Sequence, residues 1–114
     1  MGKSLSLKPQ WFQILLALAD HELHGTAIMN EVLERTQGEM RLWPGMLYGS
    51  LGQMSEAGLI EETEPPQGAP TEGGKRRFYR ISAAGQQALG AEALRLARYL
   101  QAARAKNVLP EEAL

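Results

Sequence analysis

The sequence predicts a mainly α-helical fold carrying one small β-hairpin. Two observations predict the elements. Apolar residues recur at helical spacing in four segments, the last of them long. Two short strand-like runs flank a ten-residue stretch, PPQGAPTEGG, that holds three prolines and three glycines. A third observation bounds the size. The chain has 114 residues, 44% hydrophobic and 22% charged, which fits one modest domain with an ordinary core.

Residues 8–20, KPQWFQILLALAD, form the first helix. Pro9 is tolerated in its first turn, and Trp11, Ile14, Leu15 and Leu18 make an apolar stripe. HELHGT breaks it, with Gly25 as the hinge and Thr26 as the expected cap of a second helix over 26–37. Ala27, Ile28, Val32 and Leu33 face inward there, and Gly38 ends the helix.

The stretch 44–60, PGMLYGSLGQMSEAGLI, is the most informative. Pro44 opens a third helix at its first position, where the missing N–H costs nothing. Leu47, Leu51 and Met54 share one face, and Gly58 closes the helix in a left-handed position. The other face, Tyr48, Gly49, Ser50, Gly52 and Gln53, is small, neutral or hydrogen-bonding, so it can lie close to another surface.

Strands follow at 59–64 (LIEETE) and 75–82 (KRRFYRIS), forming a hairpin with a long tip; Arg77, Tyr79 and Ile81 share one face of the second. Ser82 caps a final helix over roughly 83–106. In it Leu89, Ala93, Leu96, Leu100 and Ala103 are spaced 4-3-4-3, a two-heptad seam that Leu94 and Ala97 widen. Such a helix, about 36 Å long, outruns so small a core, which points to pairing with a second chain. The expected organisation is a single structural unit, with 1–82 as the binding domain and 83–114 as the dimerisation helix and a frayed tail.

Composition removes several classes of function. Without cysteine there are no disulfides, thiol nucleophiles or thiolate metal sites. The start, MGKSLSLKPQ, has no signal-peptide core, and no apolar run approaches membrane-spanning length; the expectation is a soluble, cytoplasmic protein. Asp20, His21, Glu22 and His24 cluster locally, but the segment reads as a turn rather than a metal site. No nucleophile–base pair or phosphate-cradling loop occurs. Neither an enzyme nor a cofactor is expected.

Charge is the remaining clue. The net charge is −1, yet GGKRRFYR at 73–80 carries four cations and no acid. The rest of the chain has eight Lys/Arg against thirteen Asp/Glu.

The order helix, helix, helix, strand, basic loop, strand, long helix is that of a winged helix-turn-helix. In that architecture the third helix enters the DNA major groove and the hairpin, or wing, reaches phosphates. Lys75, Arg76 and Arg77 sit at the base of the wing and supply fixed positive charge. Tyr48 can donate to a phosphate and Gln53 can read an adenine edge. No cation lies between Arg41 and Lys75, so arginine readout of guanine from the third helix is unavailable.

At this point the residues resemble a family, the PadR-like transcriptional regulators. The family's third-helix pattern, Gly-x-Leu-Tyr, spaced leucines and Gly-Leu-Ile, falls on Gly45, Leu47, Tyr48, Leu51, Gly58, Leu59 and Ile60. LHG at 23–25 is similar to its His-Gly turn, and KRRFYRISAAGQQAL at 75–89 to its basic-aromatic strand running into Ser-x-x-Gly. The resemblance covers about residues 10–105 and implies a cytoplasmic homodimer that binds a palindromic operator, usually as a repressor. The C-terminal helix then packs on the partner's N-terminal helix, with Trp11 joining the seam. Some members release DNA on binding an aromatic compound. Trp11 and Tyr99 are the candidates to line such a pocket, although packing is the stronger reading of both. The chain departs from the pattern at Gly52-Gln53, where a cation is common, and at Trp43, where a small polar residue is usual.

The expected DNA contacts are therefore Gly45, Tyr48, Ser50, Gln53, Lys75, Arg76 and Arg77. The expected dimer contacts are Trp11, Leu89, Ala93, Leu96, Leu100 and Ala103. A rival reading, a winged-helix protein–protein adaptor that has lost DNA binding, draws on the uncharged third helix and the acidic remainder.

Overall fold

A computed structural model describes residues 7–65 and 77–113. The order is α1 (Pro9–Leu18), β1 (Leu23–His24), α2 (Gly25–Arg35), α3 (Pro44–Glu56), β2 (Ile60–Thr63), β3 (Phe78–Ile81), α4 (Ala83–Ala105) and a 3-10 turn, Glu111–Ala113. The four helices and the hairpin fall where the periodicity places them.

The sheet has one strand more than expected. Its order is β1-β3-β2, all antiparallel, with Leu23 opposite Tyr79 and Ile60 opposite Ile81. Two residues with no period of their own carry no strand signal, so β1 is set by its partner and not by its sequence. It makes β3 the central strand, and both Phe78 and Tyr79 are buried. Phe78 meets the His24 ring edge-on at 5.3 Å.

Capping differs at α2. His24, not Thr26, is the N-cap, its Nδ1 accepting from the Ala27 N–H at 3.2 Å. Thr26 is exposed one position inside the helix. Pairing of His24 in β1 fixes where the extended backbone ends and the helix begins. α3 ends as its sequence suggests. Gly58 has φ +77°, its N–H reaches Ser55 O, and the Leu59 N–H reaches Met54 O. These two bonds are a Schellman closure. Ser82 then ties the hairpin to α4: it donates to Gly58 O and accepts from the Gly85 N–H.

One core unites the elements. Ile14, Leu15 and Leu18 of α1 meet Ile28 and Val32 of α2, Leu47, Leu51 and Met54 of α3, and Ile60 and Tyr79 of the sheet. α4 contributes Leu89 to this core. Leu89 is therefore a residue of the domain's own interior rather than of a seam between chains, because α4 spends its first turns packed on α1. Gln86 Nε2 reaches Ala19 O there, antiparallel to the run of α1. Beyond Glu92 every described residue of α4 is exposed or half-exposed. α4 closes with Asn107 at φ +58° and the chain turns again at Glu111–Ala113.

Candidate nucleic-acid interface

α3 is positioned by its apolar stripe, and its other side is what the stripe leaves out. At 100° per residue, the outward arc runs from Tyr48 through Gly52, Gly45 and Gly49 to Gln53 and Met46, with Glu56 on the same arc in the last turn. All seven are exposed. Three glycines thus occupy the middle of the face. A Cβ built on Gly45, Gly49 or Gly52 would meet nothing within 4 Å. Packing among the described residues does not require glycine at any of them.

Ser50 is the exception to the expected face. It is 6% exposed. Three residues past Leu47 and four before Met54, it lies on the flank of the apolar stripe and turns inward. It is a packing residue and does not face a groove.

Tyr48 has two surfaces. About half of it is exposed, while its phenol lies against Gly25 at the start of α2. A Cβ on Gly25 would come within 2.3 Å of the Tyr48 hydroxyl oxygen. The His-Gly turn and the Gly-x-Leu-Tyr helix, more than twenty residues apart, are therefore one piece of packing.

In the described part of the wing both arginines face a carboxylate. Arg77 Nε lies 3.7 Å from Glu62, and Arg80 donates to Glu61 at 2.8 Å. Glu61 faces Arg80 of β3 across the ladder, and Glu62 reaches Arg77 just ahead of that strand. Lys75 and Arg76 lie outside the described residues. Burial pushes the Tyr79 phenol above its ordinary 10.0, and Glu62 adds to the rise.

Just before α3, Arg41 holds its guanidinium 5.5 Å over the Trp43 ring, and Trp43 is 62% exposed. The sequence marked Trp43 only as a departure and Arg41 only as the last cation before the wing. The Arg-x-Trp spacing ahead of a helix-opening proline was the available signal.

The free part of α4 exposes Ala93, Leu94, Leu96, Tyr99 and Leu100, with Ala103 half-exposed. Arg95 sits 5.4 Å over the Tyr99 ring, donates to its hydroxyl, and is paired with the buried Glu92. Trp11 is half-buried against the core, with Lys8 over its ring. Its indole N–H is buried and has no acceptor among the described residues. The described residues do not bring Trp11 and Tyr99 together in one pocket. Glu92 is level with Leu7, at the start of α1, and Tyr99 lies about 10 Å farther along α4.

The acidic and histidine residues of the first turn go separate ways. His21 pairs with Asp20 at 2.8 Å, Glu22 accepts from Thr63, and His24 caps α2. No metal-holding cluster occurs among the described residues. No described helix is long and apolar enough to cross a membrane.

Helix-turn-helix, two-stranded wing and long C-terminal helix together define a winged-helix protein of the DNA-binding class. Residues 14–91 match the transcriptional regulator PadR-like family, and the chain belongs to that family. Its fold is that of a PadR family transcription regulator from Clostridium difficile: TM-score 0.71, 20% identity, 86% of this chain and 97% of that one. It is also similar to Bacillus subtilis PadR in complex with operator DNA, at a TM-score of 0.62 and 21% identity over 74% of this chain and 46% of that one. In sequence it is 39% identical over 85 residues to an uncharacterised 37.1 kDa protein of transposon TN4556 from Streptomyces fradiae. That match takes in 75% of this chain and 22% of the relative, so the chain spans about a fifth of its length. The family is one of transcriptional regulators, not of enzymes.

Proposed function

We infer that this protein is a cytoplasmic, sequence-specific repressor that binds an inverted-repeat operator as a homodimer. α3 lies in the major groove and the wing takes phosphates. The observation that carries this reading is the glycine face of α3. Gly45, Gly49 and Gly52 occupy the centre of an exposed helix face where none of the described residues fills the space a side chain would take. Glycine costs a helix interior about 1 kcal/mol relative to alanine. Such a face suits a surface that must come close to the backbone, and the floor of a groove is one. A protein of similar fold, Bacillus subtilis PadR, forms a complex with operator DNA, which supports duplex DNA as the partner.

The homodimer is supported by the apolar residues that α4 exposes beyond Glu92, among them Leu94, Leu96, Tyr99 and Leu100. Two-fold symmetry then sets half-sites about one helical turn apart. In this reading 83–114 is the dimerisation segment and 1–82 the DNA-binding segment. Release by an aromatic inducer rests on Trp11, whose buried indole N–H lacks an acceptor within the described chain. Trp11 and Tyr99 share such a site only if a second chain closes it.

The experiment is anisotropy of the protein with labelled duplexes from upstream of its own coding sequence, titrated with salt. The expected result is binding that weakens steeply as salt rises. Absence of salt-sensitive binding favours the adaptor reading instead.

A further inference from the structure

The repressor reading leaves one electrical problem, since α3 has no cation to hold it against a polyanion. Arg35 pairs with Glu31, Arg77 with Glu62 and Arg80 with Glu61. Among the described residues of the helix-turn-helix and wing strands, Arg41 is the cation with no carboxylate partner. It rests instead on an aromatic face. A π-face orients a guanidinium without cancelling its charge, and it leaves the N–H edges free to bond outward.

Trp43 is the stranger half of the pair. It is 62% exposed, immediately before the recognition helix and two residues before the glycine face begins. An indole spends apolar area in water there without serving the core. The first turn of α3 carries no acidic side chain that would repel a phosphate. Uncancelled charge, an exposed aromatic plate and continuity with the α3 face describe a surface for a sugar–phosphate backbone.

We propose that Arg41 and Trp43 form a backbone clamp on the operator, with Arg41 bonding a phosphate and Trp43 resting on the neighbouring deoxyribose. The clamp supplies at the head of α3 the positive charge that the helix itself lacks. It makes contact energy and register, not base readout. This inference rests on the repressor reading and adds two residues to it.

The chain has two tryptophans, Trp11 and Trp43. In a Trp11→Phe background Trp43 is the sole reporter of its own surroundings. Duplexes are first enriched from a random library by the unchanged protein, and the best of them is used as the probe. Saturating duplex is expected to quench or shift Trp43 emission. Arg41→Gln in the otherwise unchanged chain is expected to weaken binding about 5- to 10-fold and lower the slope of log K against log salt by about 1. An unmoved Trp43 emission at saturation overturns the proposal, as does an Arg41→Gln salt slope equal to the parent's. Should the Trp11→Phe chain not fold, the salt slope decides alone. A parent protein that enriches no duplex overturns both this proposal and the repressor reading, whereas tight binding by an insensitive Arg41→Gln chain overturns the clamp only.

Discussion

A methyl group added at Gly25 would lie 2.3 Å from the phenol oxygen of Tyr48, so the tyrosine of α3 lies where it does because the first residue of α2 has no side chain. A second glycine, Gly85, is pressed harder. A Cβ there would come within 2.1 Å of the Leu59 carbonyl oxygen. The two contacts differ in what can yield. Tyr48 is half-exposed and can swing outward; a backbone carbonyl cannot. Gly85→Ala is therefore expected to destabilise by about 2–3 kcal/mol, in the range of overpacked cores. Gly25→Ala is expected to cost less than about 1 kcal/mol while weakening DNA binding through a displaced Tyr48. Urea denaturation and duplex anisotropy on both variants separate the two effects.

The glycine face of α3 carries an opposite expectation. Gly49→Ala and Gly52→Ala add a methyl to open space and remove a flexible residue from an exposed helix. Each is expected to raise stability by about 0.5–1 kcal/mol. Each is also expected to weaken operator binding about tenfold, roughly 1.4 kcal/mol. Thermal melts and anisotropy test the pair. A gain in stability with unchanged binding would mean that the face does not approach DNA.

The parts of the fold that could be read in the sequence are those with a period or a punctuating residue. Pro44 and Gly58 bracket α3, and Ile14, Leu15 and Leu18 mark the buried side of α1, as the structure shows. β1 could not be read, because Leu23 and His24 are a strand only by pairing with Tyr79 and Phe78. Ser50 misled for a related reason. A small polar residue sits at the flank of an apolar stripe without breaking it, and its type does not say which way it turns. Leu89 fits a heptad seam by spacing, but where α1 covers α4 was not in that spacing. On the candidate site, the chain order supplied the helix and the wing. The pairing of Arg77 with Glu62 depends on cross-strand register, which no single segment contains.

That pairing has a consequence for the wing. Glu62 faces the cation nearest the described end of β3 and adds a negative charge to the surface proposed to take phosphates. An exposed pair of this kind contributes little to folding, about 0–1 kcal/mol. Glu62→Gln is expected to leave the melting temperature nearly unchanged and to tighten duplex binding a few-fold at low salt. The combined Lys75→Ala/Arg76→Ala/Arg77→Ala variant is expected to flatten the salt dependence by up to about 3 in slope. Unchanged binding in the triple variant would remove the wing from the interface.

Acid titration reports on α4. Arg95 bonds the buried Glu92 carboxylate and holds its pKa below the ordinary 4.5, with the Leu7 N–H contributing. A depressed carboxylate stabilises the fold at pH values above its unfolded pKa. That stabilisation is lost as pH falls through the lower folded value. Stability of the parent is thus expected to decline below about pH 4.5 more steeply than that of Glu92→Gln. Denaturation midpoints between pH 3 and pH 7 measure the difference.

Leu89 and Leu96, one heptad apart, distinguish folding from the proposed assembly. Leu89 is 7% exposed inside the core, whereas Leu96, one heptad later, is 41% exposed on the stretch of α4 that leaves the domain. Leu89→Ala opens a cavity and is expected to cost about 2–4 kcal/mol of stability. Leu96→Arg touches no core residue, and its expected product is a folded monomer with the parent's helix content. Its operator affinity falls because one recognition helix has lost the other. Sedimentation equilibrium and circular dichroism on both variants give the answer. A Leu96→Arg chain that still sediments as a tight dimer would place the interface elsewhere than on the exposed half of α4.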